Sequence, residues 1–186
     1  MASDKKIFDS WLVLESQAGS KKAMSLLVKR WHRKLCRHSC WYTKDIDTAR
    51  DVVQDSWGII LRKIYGLRNP DRFGSWAMSI VTRKSLDWIR KNKRVKKNKK
   101  HYYEQRSNGS DNDHNFSPGD TLALVRIKME ELPEAQKMVL HLFYLEEFSI
   151  KEISEILEVP IGTVKSRLFK AREQLKTILK TRNHEK

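Results

Sequence analysis

Apolar residues recur at spacings of three and four along this chain, and this pattern restricts its fold more than any other feature. Residues at such spacings share one face of an α-helix. The clearest case predicts a helix from about Asp45 to Tyr65. Its inward stripe consists of Ile46, Ala49, Val53, Trp57, Ile60 and Ile64. No stretch shows a credible strand pattern, so we predict an all-α fold.

Two further helices are predicted in the first half of the chain. Ser20 is a suitable N-cap for a helix that runs to about Ser39. Asn69-Pro70 interrupts the helical pattern, and the next helix is predicted from about Arg72 to Asn92 or beyond. The residues of this helix that we expect to face the core are Phe73, Trp76, Ala77, Ile80 and Val81.

Four helices are predicted in the last third of the chain. Asp120 caps the first, which runs to Leu132. Pro133 suits the first turn of the second, which ends near Leu145. The segment 149–152 reads as a capping box that opens a short third helix. The fourth runs from Ile161 to about Lys180, and its inward stripe is Ile161, Val164, Leu168, Ala171, Leu175 and Ile178.

The positive charge of the chain is unevenly distributed. Lys and Arg number 38 against 23 Asp and Glu, a formal net charge of +15. The basic excess lies in residues 1–106 and again in 160–186, whereas residues 130–158 are acidic. A polar segment, SNGSDNDHNFSPG, follows the basic run KNKRVKKNKK and has the composition of a linker. We therefore predict two helical domains, residues 1–97 and 120–182, joined by a basic and polar linker, 98–119.

Composition narrows the classes of protein and of partner. The charge surplus favours a polyanion as partner, either nucleic acid or an anionic membrane surface. No apolar run approaches the roughly 20 residues that span a bilayer. The N-terminus, MASDKKIFDSW, lacks the apolar core of a secretory signal, and two cysteines do not make a disulfide framework. We therefore expect a cytoplasmic protein.

The last two helices have the layout of a helix-turn-helix, a short helix followed by a tight turn and a longer basic helix. In such a motif the second helix enters the major groove and reads base edges from its N-terminal part. Its candidate DNA contacts are Thr163, Lys165, Ser166, Arg167, Lys170 and Arg172. The alternative is a solvated face on an ordinary amphipathic helix. The change from acidic to basic residues across the turn favours the DNA-reading interpretation.

An acidic stripe lies on the central helix of the basic first domain. Asp47, Asp51 and Asp55 fall at i, i+4 and i+8, with Gln54 beside them. Like charges at this spacing destabilise a helix by about 0.2–0.5 kcal/mol per pair. The stripe is either a solvated face balanced by nearby Arg and Lys residues or a docking face for a basic partner helix.

The next helix carries two faces suited to nucleic acid. One holds Arg83, Asp87, Arg90 and Arg94, and Asp87 is placed to pair with the neighbouring cations. The adjacent face holds Lys84, Trp88 and Lys91. A Trp between cations suits stacking on an unpaired base, although Trp88 can equally pack in the core. Trp76 shares the face of Phe73 and is expected in the core.

The sequence offers few groups for metal binding or catalysis. His32, Cys36 and Cys40 lie at i, i+4 and i+8, with His38 nearby, which leaves zinc as one interpretation. Cysteines packed in a helix core are the commoner outcome, and we predict no metal site. No glycine-rich phosphate loop or nucleophile motif occurs, so we expect neither a cofactor nor an enzyme.

Three segments resemble the RNA polymerase sigma factors of the extracytoplasmic-function group. Residues 132–179, and above all PIGTVKSRLFKAR at 160–172, resemble the family's C-terminal domain. The segment DTARDVVQDSW resembles its polymerase-binding helix, and FGSWAMSIVTRKSLDWIRKNKR resembles its promoter-melting helix. The resemblance covers nearly the whole chain outside the extreme ends and the linker.

This resemblance implies a set of roles. Asp51, Gln54 and Asp55 would dock on the clamp helices of the polymerase β′ subunit. The loop 67–72 would help to capture bases of the minus-ten element, with Arg68, Asn69 and Arg72 as contacts. The C-terminal domain would bind the minus-thirty-five element and touch the β flap. Core RNA polymerase and promoter DNA are thus the implied partners and an anti-sigma factor a further one. A membrane and a small-molecule substrate are not implied.

The sequence departs from the family pattern at three positions. Ser154 stands where Ala is usual, Glu158 where Gly is usual, and Arg83 where Asn is frequent. Two other functions remain open at this point. One is a stand-alone helix-turn-helix regulator, and the other is a basic helical adaptor that binds RNA or anionic lipid.

Overall fold

The computed structural model describes residues 2–100 and 131–183, with side chains for residues 6–92 and 131–176. It divides into two compact units, Met1–Glu104 and Gln105–Lys186, and each is described by itself. Every regular element in the described residues is helical, which confirms the all-α prediction. The linker segment 101–119, the side chain of Arg94 and nearly all of the helix predicted from Asp120 lie outside the described residues.

The first unit is built from four α-helices and two short 3-10 turns. They are α1 (Ala2–Gln17), α2 (Lys21–Thr43), α3 (Ile46–Lys63), the 3-10 turns Ile64–Gly66 and Pro70–Arg72, and α4 (Phe73–Lys100). The predicted α2, α3 and α4 are confirmed. Helix α1 was not predicted, and α2 continues past Ser39 to Thr43. Lys44 ends α2 in the left-handed conformation, with φ of 57°.

Side-chain caps explain where α2 and α3 begin. The hydroxyl of Ser20 accepts a hydrogen bond of 3.2 Å from the backbone N–H of Ala23, as predicted. The carboxylate of Asp45 accepts one of 2.7 Å from the N–H of Thr48. Each cap satisfies an N–H that has no partner within its own helix.

The inward stripe of α3 is largely as predicted. Ala49, Val53, Trp57, Ile60 and Ile64 are all buried. Ile46 is 46% exposed, so its assignment to the core is wrong. Ile46 is the first residue of the helix, directly after the Asp45 cap, and its side chain lies at the edge of the packed layer.

A polar seam joins α2 to α4. The Nε2 atom of His38 lies 2.8 Å from the hydroxyl of Thr82, and the hydroxyls of Ser39 and Ser85 lie 3.0 Å apart. Thr82 and Ser85 also donate to carbonyls of their own helix, so they accept from His38 and Ser39. All four side chains are buried, and these hydrogen bonds satisfy them there.

A glycine permits a close contact between the same two helices. A Cβ atom placed on Gly74 would lie 2.6 Å from Cη2 of Trp31. The indole of Trp31 packs edge-on against the ring of Phe73, with 5.6 Å between ring centroids. The absent side chain of Gly74 therefore makes room for Trp31 at the start of α4.

The second unit contains three described α-helices. They are α5 (Glu134–Leu140), α6 (Ile150–Leu157) and α7 (Ile161–Asn183), with a π turn at His141–Leu145 after α5. The helical stretch ends near Leu145 as predicted, but Pro133 occupies the N-cap rather than the first turn. The capping box is confirmed, because Ser149 accepts from the N–H of Glu152 while Glu152 accepts from that of Ser149.

Helix α7 packs through part of its predicted stripe. Val164, Leu168 and Ala171 are buried and Leu175 is half-buried. Ile161, the first residue of the helix, is 44% exposed, so its assignment to the core is wrong. The side chain of Ile178 lies outside the described residues. Across the described residues, no helix combines the length and apolar content that crossing a bilayer requires.

Candidate nucleic-acid interface

The N-terminal half of α7 presents most of its predicted DNA contacts to solvent. Lys165, Ser166 and Lys170 are exposed, and Thr163 and Arg167 are half-buried. The hydroxyl of Ser166 donates to the carbonyl of Thr163 at 3.0 Å, a bond within the helix. The face opposite the buried stripe therefore offers cations and small polar groups, which can reach phosphates and base edges.

Arg172 is engaged within its own unit. Its Nε atom donates a hydrogen bond of 2.8 Å to the hydroxyl of Tyr144. Its guanidinium also lies 5.3 and 5.5 Å from the ring centroids of Phe143 and Tyr144, both in the π turn. These contacts orient Arg172, and no local pattern in the sequence marks Tyr144 as its partner.

The turn inside the helix-turn-helix accommodates two of the three departures from the family pattern, Ser154 and Glu158. Glu158 adopts the left-handed conformation, with φ of 53° and ψ of 43°. The hydroxyl of Ser154 donates a 2.6 Å hydrogen bond to the carbonyl of Val159 across this turn. The N–H groups of Glu158 and Val159 both donate to the carbonyl of Ser154. These bonds fix the turn that sets α7 against α6.

In the first unit, the loop before α4 brings cations to the surface. Arg68, Asn69 and Arg72 are all exposed. The side-chain oxygen of Asn69 accepts a hydrogen bond of 3.0 Å from the N–H of Asp71, which caps the second 3-10 turn. The amide nitrogen of Asn69 is the part of this side chain that remains suited to donate to a ligand.

A pocket of about 420 Å³ opens beside this loop. Its lining residues are Arg62, Lys63, Gly66, Leu67 and Trp76. Trp76 is therefore half-buried at a pocket wall, and its assignment to the core is only partly right. An indole beside two cations can stack on a base while the cations hold phosphate, so Trp76, Arg62 and Lys63 join the candidate residues.

Both predicted faces of α4 reach the surface. Arg83, Arg90 and Lys91 are exposed, whereas Lys84 and Trp88 are half-buried. Asp87 pairs with Arg90 at 3.4 Å, one of its predicted partners. The guanidinium of Arg83 lies 3.3 Å from the hydroxyl of Ser79, one turn earlier.

The acidic stripe of α3 is exposed. Asp51, Gln54 and Asp55 all face solvent. Asp47 pairs with Arg50 at 3.0 Å, whereas Asp51 and Asp55 make no ion pair with any side chain in the described parts of the chain. Two of the nearby cations on α3, Arg62 and Lys63, line the pocket beside the loop. The stripe thus presents carboxylates that are available to a partner.

Two of the candidate zinc ligands on α2 lie close together, and a third faces away to another partner. Sγ of Cys36 lies 3.5 Å from Nε2 of His32. His38 faces Thr82 instead. Burial raises the pKa of the Cys36 thiol, against the opposing effect of Arg50. A raised pKa favours the thiol over the thiolate that would bind a metal.

Comparison with known proteins places both units in one family. Residues 27–95 match the family described as Sigma-70 region 2, and residues 124–175 match Sigma-70, region 4. The ECF RNA polymerase sigma-E factor of Haemophilus influenzae is 30% identical over 179 residues, which cover 91% of this chain and 94% of that protein. RNA polymerase sigma factor SigV of Bacillus subtilis is 32% identical over 130 residues, covering 70% of this chain and 75% of that protein.

Two solved structures share the fold. Sigma factor RpoE of Bartonella quintana, in complex with the anti-sigma factor NepR, matches with a TM-score of 0.64 and 20% identity, covering 86% of this chain and 98% of that one. CnrH, in complex with the cytosolic domain of CnrY, matches with a TM-score of 0.62 and 22% identity, covering 94% and 98%.

The match to region 2 as well as region 4 argues against a stand-alone helix-turn-helix regulator and against an RNA or lipid adaptor. Core RNA polymerase and promoter DNA are the partners of these two regions. The chain belongs to the extracytoplasmic-function group of RNA polymerase sigma factors, and it directs promoter recognition in transcription initiation.

Proposed function

We propose that Asp51, Gln54 and Asp55 dock on the β′ clamp helices of core polymerase. These side chains are exposed on α3, and no described side chain pairs with the two carboxylates. Exposed carboxylates on an otherwise basic unit form a patch of negative potential that is complementary to a basic partner. This separation of charge within the first unit is the observation that carries the proposal.

The loop 67–72 and α4 would bind the minus-ten element and help to melt it. Opening a duplex requires capture of unpaired bases, because unstacking costs a few kcal/mol. The pocket walled by Trp76 lies next to the loop and has two cations on its rim. Loop residues Arg68, Asn69 and Arg72 would contact the captured bases, and Trp88 would stack on an unpaired base. The phosphates would be held by the cations of α4, namely Arg83, Lys84, Arg90, Lys91 and Arg94.

Helix α7 would read the minus-thirty-five element in the major groove. Arg167 suits bidentate pairing with guanine, and Lys165 and Lys170 suit guanine or phosphate. Thr163 and Ser166 offer smaller polar groups at the start of the same face. Arg172, held by Tyr144, suits a phosphate contact because its guanidinium is already oriented. The second unit would also touch the β flap.

Two variants separate these roles. Arg167→Ala should reduce promoter-directed transcription about tenfold or more while polymerase binding is retained, since a bidentate base contact contributes about 1–3 kcal/mol. Asp51→Arg with Asp55→Arg should weaken binding to core polymerase in a gel-filtration co-elution assay. Normal transcription by the first variant, or normal co-elution by the second, would show that the assignment of that surface is wrong.

Matched controls use exposed residues away from these surfaces. Lys151→Ala removes a cation from α6 without touching the reading helix. Glu131→Arg with Glu147→Arg reverses two exposed carboxylates of the second unit and adds the same charge as the α3 variant. Both controls should behave as wild type in both assays.

Three broader features complete the proposal. RNA synthesis belongs to the polymerase, so the chain would have no active site of its own. It would act in the cytoplasm with the polymerase. Two similar solved structures are complexes of sigma factors, one with the anti-sigma factor NepR and one with the cytosolic domain of CnrY. We extend this to an anti-sigma factor as a partner of this chain.

A further inference from the structure

We propose that Gln17 of α1 is a positioning residue for the loop 67–72, which precedes α4. Its side-chain amide binds the backbone at the start of the loop, and a second contact from Ser10 holds the end. The inference rests on the proposed role of residues 67–72 in binding the minus-ten element. Helix α1 lies before residue 27, where the match to region 2 begins.

Gln17 closes the first end of the loop. Its Nε2 atom donates to the carbonyl of Ile64 at 2.7 Å and to that of Leu67 at 2.9 Å. A carboxamide has two N–H donors, and both are used here. Leu67 has an extended backbone, with φ of −75° and ψ of 99°, and its carbonyl lies outside any helical ladder. Gln17 thus gives the carbonyl of Leu67 a partner outside regular structure and adds a second donor to the carbonyl of Ile64, which also accepts from the N–H of Leu67.

Ser10 holds the other end of the loop. Its hydroxyl lies 2.5 Å from a carboxylate oxygen of Asp71 and 2.9 Å from the carbonyl of Lys6. The hydroxyl has one proton, and it donates this hydrogen bond to the carboxylate, because the charge-assisted bond is the shorter and stronger of the two. The N–H of Asp71 in turn donates to the side chain of Asn69. A chain of contacts therefore links α1 to one of the proposed base-binding residues.

Helix α1 is firmly attached to the first unit. Leu12, Val13 and Ser16 are buried, and the carboxylate of Asp9 pairs with Arg30 of α2 at 2.8 Å. A loop tied at both ends to such a helix has few conformations available before DNA arrives. Pre-organisation of this kind lowers the entropy that binding must overcome. Gln17 would act on base capture through the loop, without touching DNA.

The test uses holoenzyme assembled from core polymerase and the full chain. Its DNA is a promoter selected by the wild-type holoenzyme from a pool with randomised minus-ten bases. Gln17→Met keeps the length of the side chain and removes both donors. We expect open-complex formation, followed by permanganate reactivity of unpaired thymines, to fall about tenfold, the effect of losing two hydrogen bonds. The ratio of opening on the selected promoter to opening on promoters with one changed minus-ten base should fall. The affinity for core polymerase should stay within about twofold of the wild-type value.

Controls separate this inference from the role of the loop itself. Gln174→Met makes the same substitution at an exposed site on α7 and should match wild type. Arg68→Ala and Arg72→Ala test the loop directly. If they impair opening while Gln17→Met opens and discriminates normally, the positioning role is wrong and the loop assignment stands. If neither loop variant has an effect, both proposals fail. Should Gln17→Met fold poorly by circular dichroism, Ser10→Ala tests the other anchor with the same measurements.

Discussion

The hydroxyl of Ser154 and the carbonyl of Val159 are joined by a 2.6 Å hydrogen bond across the turn of the helix-turn-helix. This bond exists because Ser replaces the Ala that the family usually has. It lies beside Glu158, a residue with side chain in a left-handed conformation that favours glycine. Two of the three departures from the family pattern therefore meet at one turn, where the hydrogen bond of Ser154 supports the backbone strained at Glu158.

Ser154→Ala should destabilise the second unit by about 0.5–1.5 kcal/mol, the usual net value of one hydrogen bond. Urea unfolding followed by far-ultraviolet circular dichroism measures the change. Ser166→Ala is the matched control, because its hydroxyl bonds within a helix on an exposed face. An equal stability loss in the two variants would show that the contact across the turn contributes nothing of its own.

Gly74→Ala should lower the free energy of unfolding of the first unit by about 1–3 kcal/mol, as for other overpacked sites. The new methyl group would meet the ring of Trp31 at 2.6 Å, and one of the two must move. Thermal unfolding and near-ultraviolet circular dichroism of the tryptophans report this change. Gly58→Ala is the control, since nothing lies within 4 Å of a Cβ at that helical position. A Gly74→Ala chain as stable as wild type would contradict the close packing.

The N-cap of α3 should make stability depend on pH in the acidic range. Hydrogen bonds from the side chain and the backbone N–H of Thr48 lower the pKa of Asp45 below its usual 3.8. A carboxyl with a lowered pKa in the folded state stabilises above the unfolded value, and this contribution disappears as pH falls through the folded value. The stability difference between wild type and Asp45→Ala should therefore shrink below pH 3.8.

Asp45→Asn provides the control for that measurement. Asn caps a helix without titrating, so its advantage over Asp45→Ala should not change with pH in this range. Urea midpoints of the three chains at several pH values give the comparison. A wild-type advantage that persists unchanged into strong acid would rule out the carboxylate as the source.

Cys36 should react more slowly with iodoacetamide than Cys40. Cys36 is buried and its pKa is raised by that burial, whereas Cys40 is half-buried. Alkylation requires an accessible thiolate, and both conditions disfavour Cys36. The chains Cys36→Ser and Cys40→Ser allow each thiol to be followed alone by mass spectrometry. The two rates should converge in denaturant, and faster labelling of Cys36 in the folded chain would contradict its burial.

Periodicity and caps predicted the helices that have one clear apolar face. Helix α3 and the capping box of α6 follow directly from local sequence, because their signals lie within a few residues of one another. Helix α1 was missed since its apolar residues point to several sides. Leu12 and Val13 are buried, whereas Trp11 and Leu14 are exposed.

The incorrect core assignments share a physical cause. Ile46 and Ile161 each begin a helix, where the neighbouring layer no longer covers the side chain. Periodicity describes the direction of a side chain around the axis but not whether the partner layer extends that far. Trp76 faces as predicted and lies beside Phe73, with 6.1 Å between ring centroids, but it also lines a pocket and is therefore only half-buried.

Candidate residues on helix surfaces were found from sequence, whereas those that act through tertiary contacts were not. The exposed stripe of α3 and the basic faces of α4 and α7 are visible as spacing alone. Gln17 and Tyr144 are joined to their partners across 47 and 28 positions of sequence. No local pattern marks a glutamine as the partner of a distant carbonyl.

The polar seam between α2 and α4 determines how the two helices are offset along their axes. Its hydrogen bonds are satisfied at one offset only, and a slide by one residue, about 1.5 Å, would break them. Each buried group left unpaired would cost about 1–3 kcal/mol, so neighbouring offsets are disfavoured. Apolar side chains would tolerate such a slide far better. The position of Arg83 and Arg90 along the axis of α4 is therefore set by His38 and Ser39, two buried side chains of α2.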